Sequence, residues 1–137
     1  MSKVIRRIIT TDNAPKSKFP LNQAIVVDRT VYVSGCVGID KDTNKIVDGG
    51  VVPETIQVLK NLVAVLEAAG SSPDKVLKAT IFVEDMNDFA LVNEEYKKVF
   101  SKDFPARTCV QVAKLPVNAK VEIEAVALIG DVETVYG

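Results

Sequence analysis

The chain has 137 residues and no histidine, so any acid–base or nucleophilic chemistry must rest on carboxylates, thiols, hydroxyls, lysine, arginine or backbone groups. Its most informative candidate is Arg107, in the run Phe104-Pro-Ala-Arg-Thr-Cys-Val-Gln-Val112. A guanidinium on a strand-like segment, away from any charged helix face, needs a partner for its rigid fork of donors, and a carboxylate fits best. Two readings stand side by side: a subunit-interface ion pair with Glu122 or Glu124, or capture of a ligand carboxylate. Cys109 follows two residues later, but nothing of histidine type exists to activate it, so packing with backbone contacts is the favoured reading. Cys36 is read the same way. The two cysteines form no CxxC pair and no metal-site spacing.

Composition narrows the partners. Hydrophobic residues make up 47% of the chain, enough for the core of one domain spanning residues 1–137. With 17 basic and 18 acidic residues and a net charge of −1, there is no electrostatic footprint for nucleic acid or for an anionic membrane. Small molecules or copies of the same chain are the expected partners. No secretory signal and no apolar run of membrane-spanning length is present. A reducing, cytoplasmic setting with both thiols free is therefore expected. Gly49-Gly50 precedes Val51-Val52-Pro53 rather than Lys-Ser or Lys-Thr, so it reads as a turn and not as a phosphate loop.

The elements that must position these groups follow from periodicity. Val4–Thr10 reads as an edge strand, and Gln23–Val27 and Thr30–Ser34 as a hairpin around Asp28-Arg29, with Gly35 ending or bending the second strand. Asp40–Gly50 reads as a surface loop. From Val51 the spacing turns helical: Val52, Ile56, Leu59, Leu62, Val63 and Leu66 line one side, with Glu54 and Asn61 elsewhere and Gly70 as the stop. Val76–Val83 is mostly apolar and hence a central strand. A second helix starts at a cap on Asn87 or Asp88 and ends near Ser101, with Phe89, Val92, Tyr96, Val99 and Phe100 in the core. Strands Thr108–Val112 and Lys120–Leu128 close the chain.

The order β-β-β-α-β-α-β-β predicts an α+β fold, one mixed sheet with both helices on one face. Alternation puts Arg107, Cys109 and Gln111 on one side of their strand and Thr108, Val110 and Val112 on the other. The second set suits a helix-facing core, leaving the first to look outward toward neighbouring subunits. Whether Arg107 and Glu122 share a face depends on strand register, which alternation does not give.

Four motifs lie in order along nearly the whole chain: Ser34-Gly35, Asn87-Asp88-Phe89 with Val92-Asn93, Phe104-Pro-Ala-Arg-Thr-Cys-Val110, and Val121-Glu-Ile-Glu-Ala-Val-Ala127. Together they resemble the reactive-intermediate-deaminase family, in its archetypal, animal-type subgroup. The resemblance implies a chorismate-mutase-like protomer in a homotrimer whose sheets form an inner barrel, with three clefts between subunits. It implies hydrolysis of 2-imino acids such as 2-iminobutanoate and 2-iminopropanoate, released by pyridoxal-phosphate enzymes, to 2-keto acids and ammonia, without cofactor or metal. Carried over by motif position, Arg107 grips the substrate carboxylate and Glu122 holds the attacking water. Cys109, Ser34 and Gly35 line the pocket, and Asn93 supports it.

The chain departs from the family pattern where Phe19-Pro20-Leu21-Asn22-Gln23-Ala24 stands for Gly-Pro-Tyr-x-Gln-Ala. Leu21 replaces a pocket tyrosine and can only pack. Phe19 replaces a glycine, and Cys36 follows Ser-Gly where many members carry glutamine. Two alternatives to the deaminase remain: an endoribonuclease that inhibits translation, and a non-catalytic trimer that binds small acids or client proteins. The first has no basic stripe, aromatic stacking platform or histidine to work with.

Overall fold

The computed structural model describes residues 1–137. Its strands and helices are, in chain order, β1 (Arg6–Ile9), β2 (Ala24–Val27), β3 (Thr30–Val37), β4 (Ile39–Asp40), β5 (Lys45–Ile46), α1 (Val51–Ala68), β6 (Val76–Val83), α2 (Phe89–Val99), β7 (Ala106–Gln111) and β8 (Val121–Leu128). Six strands form one sheet in the order β1-β2-β3-β8-β6-β7. Only β6 and β7 run parallel, as the helical crossover α2 between them requires. Both helices cover one face of this mixed sheet, so the α+β architecture is as expected from the element order.

The core lies between the helices and that face. Val31, Ala79, Ile81, Val121, Ile123 and Ala127 of the sheet meet Val58, Leu62, Leu66 and Val92 of the helices, all fully buried. Strict alternation on β8 makes this possible: Val121, Ile123, Ala125 and Ala127 point in, and Glu122 and Glu124 point to the uncovered face. Tyr32 and Val110 also lie on that face, half exposed.

Several local expectations are corrected. The supposed loop 40–50 contains the short hairpin β4-β5, closed by Asn44 at φ 60° and by its amide donating to Asp40 O at 2.7 Å. Of the two readings of Gly35, ending or bending its strand, the second holds: β3 continues to Val37 through a bulge between Val33 and Cys36. The α2 entry is capped by Asp85, whose carboxylate accepts from the Asn87 amide at 2.9 Å, and neither Asn87 nor Asp88 caps by side chain.

The buried side of α1 also differs from its apolar pattern. Ile56 is half exposed, whereas Glu54 and Asn61 are buried. Each satisfies backbone that would otherwise be orphaned. Glu54 accepts from the Lys120 amide at 2.9 Å, and Asn61 donates to Val37 O and Ile39 O at 3.0 and 2.9 Å. Periodicity cannot register a polar side chain recruited to a strand end.

Candidate active site

Glu122 sits on central strand β8, facing away from the helices, beside the bulge of β3. A Cβ placed on Gly35 would lie 2.7 Å from Glu122 Cδ and 2.9 Å from Oε1, so the missing side chain is the room in which the carboxylate rests. Burial, and secondarily Glu124 two residues along the same face, raises the Glu122 pKa above its ordinary value. A carboxylate so placed is a better proton acceptor than a solvated one.

The segment above it is stapled down. Ser34 Oγ donates to Asn22 O at 2.6 Å, and the Ser34 amide to Gln23 O at 3.0 Å. Gln23 then ties the preceding loop: its Oε1 accepts from the Thr11 amide at 2.7 Å, and its Nε2 donates to Thr11 O at 3.1 Å and Pro15 O at 3.0 Å. These bonds hold Phe19 and Leu21 over a cavity of about 300 Å³ shared with Ser34, Gly35, Val117 and Glu122. Phe19 is 60% and Leu21 49% exposed, so apolar surface stands beside the carboxylate.

Arg107 occupies the edge strand β7. Its guanidinium carbon lies 5.4 Å from the Phe89 ring centroid and 4.9 Å from that of Tyr96, both on α2. No carboxylate of its own chain pairs with it, since all five ion pairs are made by lysines. Cys109, next along the same side, packs against the core; burial raises its thiol pKa and the nearby Arg107 pulls it partly back. Asn93 lies one turn from Phe89 and from Tyr96, and its buried Oδ1 has no partner.

The face assignment of β7 is therefore the reverse of that expected. Arg107 and Cys109 pair with Ala79 and Ile81 of β6, which pair with Ala125 and Ile123 of β8, all four of the latter buried beneath the helices. Thr108 and Val110 take the uncovered side. Because β7 is an edge, its helix-facing side chains need not be apolar; they emerge past α2. Phe89, expected in the core, is 38% exposed for the same reason.

Register thus divides the predicted residues. Glu122, Ser34, Gly35 and Leu21 gather at one cavity, and Arg107, Cys109 and Asn93 at a second place on the opposite face of the sheet. Sequence reading missed Gln23 as the staple, Val117 as a cavity wall and Phe89 as a platform for Arg107. The i, i+4, i+7 spacing of Phe89, Asn93 and Tyr96 was the available signal for the last. Cys36 lines the first of the two places, the Glu122 cavity, and is inert: burial, then Glu122, pushes its pKa up to about 12.

The family model for Endoribonuclease L-PSP matches residues 11–129. The chain belongs to this family. It is the reactive-intermediate-deaminase family that the motifs resemble, and the subgroup is shown by relatives across the full length. RutC family protein UK114 of Drosophila melanogaster is 60% identical over 134 residues, covering 98% of this chain and 97% of that protein. Human 2-iminobutanoate/2-iminopropanoate deaminase is 48% identical over 134 residues, covering 98% of each. Among solved structures, E. coli TdcF with bound serine aligns at a TM-score of 0.86 and 38% identity, over 90% of this chain and 99% of that one. Endoribonuclease L-PSP family members of this fold carry two helices on a mixed sheet, as here.

Proposed function

We propose that the chain hydrolyses 2-imino acids, 2-iminobutanoate and 2-iminopropanoate among them, to 2-keto acids and ammonia, in clefts between the subunits of a homotrimer. The observation that carries this reading is the placement of an unpaired Arg107 and a proton-accepting Glu122 on opposite faces of one sheet. Such a pair meets on one small ligand only if Arg107 comes from one copy and Glu122 from the next. The uncovered sheet face, with Tyr32 and Val110 half exposed, is suited to the inside of a three-copy barrel.

The chemistry follows from the groups. Arg107, Cys109 and Asn93 of one copy receive the substrate carboxylate, and the imine carbon then lies over Gly35 near Glu122 of the neighbour. A protonated imine is already electrophilic. Glu122 takes a proton from water as its oxygen bonds to that carbon and returns it to the amine nitrogen; as the C–N bond breaks and ammonia leaves, the regenerated carboxylate takes the remaining hydroxyl proton and the carbonyl forms. Positioning both reactants accounts for much of the acceleration, on the order of 7 to 11 kcal/mol in favourable cases. Leu21 supplies apolar surface where the family tyrosine would supply a hydroxyl.

The name of the family also carries a ribonuclease reading. A chain of net charge −1 without histidine suits it poorly. No helix is long and apolar enough to cross a membrane, and both cysteines are free; a cytoplasmic setting is part of the same proposal.

The test couples threonine dehydratase, as a source of 2-iminobutanoate, to a scavenging amine, with light scattering on the same sample. A three-copy mass and faster keto-acid formation by the wild type, lost in Arg107→Lys, support the proposal, because lysine cannot reproduce the bidentate fork. Equal rates for wild type and Arg107→Lys, or a catalytically competent monomer, overturn it. Mixing inactive Arg107→Ala with inactive Glu122→Gln should restore part of the activity, since mixed trimers contain a cleft with both native residues.

A further inference from the structure

Arg107 is charged, lies at a sheet edge and has no ion-pair partner in the chain, yet its position is defined. Two rings define it, at 5.4 Å and 4.9 Å from the guanidinium carbon. They differ in depth. Tyr96 is 4% exposed and packs on Phe100 with ring centroids 4.5 Å apart, so it is a rigid floor fixed by the core. Phe89 is 38% exposed at the first turn of α2 and pairs with no other ring. Beside them, Tyr96 Oη and Asn93 Oδ1 are both buried without a hydrogen-bond partner.

An exposed aromatic ring that only filled space would be replaceable by leucine. A ring stacked on a guanidinium does more: it leaves the in-plane N–H groups free while restricting the plane itself. We infer that Phe89 and Tyr96 form an aromatic clamp that orients the Arg107 fork for a carboxylate, with Phe89 the specificity-determining member. The inference rests on the proposal that Arg107 receives the substrate carboxylate. Phe89 and Tyr96 are positioning residues acting through Arg107. The unpartnered polar atoms of Asn93 and Tyr96 are buried alongside, so a freely rotating guanidinium would have competing acceptors. Contact with the two rings is what keeps its donors turned to the ligand.

The clamp predicts an effect confined to ligands bearing a carboxylate. Losing one cation–π platform, worth roughly 0.5–1 kcal/mol at an exposed site, corresponds to a weakening of about two- to fivefold. The experiment measures binding of 2-ketobutanoate and its methyl ester by calorimetry, and steady-state kinetics with 2-iminobutanoate, in wild type, Phe89→Leu, Phe89→Tyr and Arg107→Ala. The expected result is a two- to fivefold rise in Kd and KM for Phe89→Leu with kcat little changed and a Tm lowered by only a few degrees, about what loss of the ring–guanidinium contact from the free protein costs. Phe89→Tyr restores the wild-type values, and the ester, weakly bound, is indifferent to either change. If Phe89→Leu binds 2-ketobutanoate as tightly as wild type while Arg107→Ala does not bind it, the clamp is wrong and the role of Arg107 stands. Should Arg107→Ala bind as tightly as wild type, the underlying site assignment fails instead. Tyr96→Leu is avoided as the primary probe because it opens the core; Tyr96→Phe, which keeps the ring, is expected to bind like wild type.

Discussion

Gly35 and Glu122 are complementary: the carboxylate occupies the space that a side chain on Gly35 would need, at 2.7 Å from the position of a Cβ. Gly35 does not have a positive φ, so its value lies in this close approach and not in backbone freedom. Alanine at 35 should fold normally, because the group it meets is the movable end of a glutamate. It should nevertheless displace the carboxylate from its seat. The expected outcome for Gly35→Ala is a Tm near that of the wild type with kcat reduced about 100-fold, in line with a misplacement of about 1 Å. Retained activity would show that the seat is not catalytic.

Glu122 sets the pH dependence. Its folded pKa is raised by burial and by Glu124, and hydrolysis needs the ionised form, so kcat/KM should climb with pH through a midpoint above the ordinary carboxylate value. The stability effect has the opposite sign. Between the unfolded and the raised folded pKa the native state binds more protons, so stability falls as pH rises through that window. Glu122→Gln should therefore be inactive and, above the window, slightly more stable than the wild type, by less than about 1 kcal/mol for a partly exposed group. Thermal melts at a series of pH values, alongside rates, check both signs; a Glu122→Gln protein less stable at pH 8 would contradict them.

How far the sequence led depends on what kind of information each feature needs. The helices and central strands were legible because burial imposes a period, as in the alternating Val121, Ile123, Ala125 and Ala127. Arg107 and Glu122 were legible as chemistry-bearing types within motifs. Their placement on opposite faces was not, because a face is decided by register across three strands, and β7 being an edge relaxes the rule that its helix-side residues be apolar. Glu54, Asn61 and Gln23 were invisible for a related reason. Each satisfies backbone groups distant in sequence, the Gln23 to Thr11 bonds spanning 12 positions, and no local pattern marks such a recruit.

Cys36 offers a chemical check on the wall of the Glu122 cavity. With its pKa near 12, the thiolate fraction at pH 8 is on the order of one in ten thousand. Cys36 should resist iodoacetamide in the folded protein for hours and react at once after denaturation. Mass spectrometry of the labelled peptides distinguishes it from Cys109. Rapid native labelling of Cys36 would mean that the segment carrying Leu21 opens far more readily than its hydrogen bonds to Ser34 and Gln23 suggest.

Val117 carries backbone strain at the cavity wall. It has φ 53° and ψ 26°, and Asn118 beside it has φ 58°. Asparagine tolerates the left-handed region, but a β-branched residue is an outlier there, at a cost of roughly 1–2 kcal/mol. The turn persists because Pro116 fixes its entry and the Ala119 amide donates to Pro116 O at 3.1 Å. Since Val117 is 45% exposed, replacing it forfeits little core packing. Val117→Asn should raise stability by about 1 kcal/mol, a Tm increase of roughly 2–6 °C for a chain of this size. Strain kept at a cavity beside Glu122 has a reason if the valine methyls are needed as apolar wall. The same variant should then lower kcat/KM several-fold, more for imino acids with longer alkyl side chains than for 2-iminopropanoate. A stabilised variant with wild-type kinetics on both would leave the strain without a catalytic purpose, and a destabilised one would show that the turn does not hold Val117 in the left-handed region.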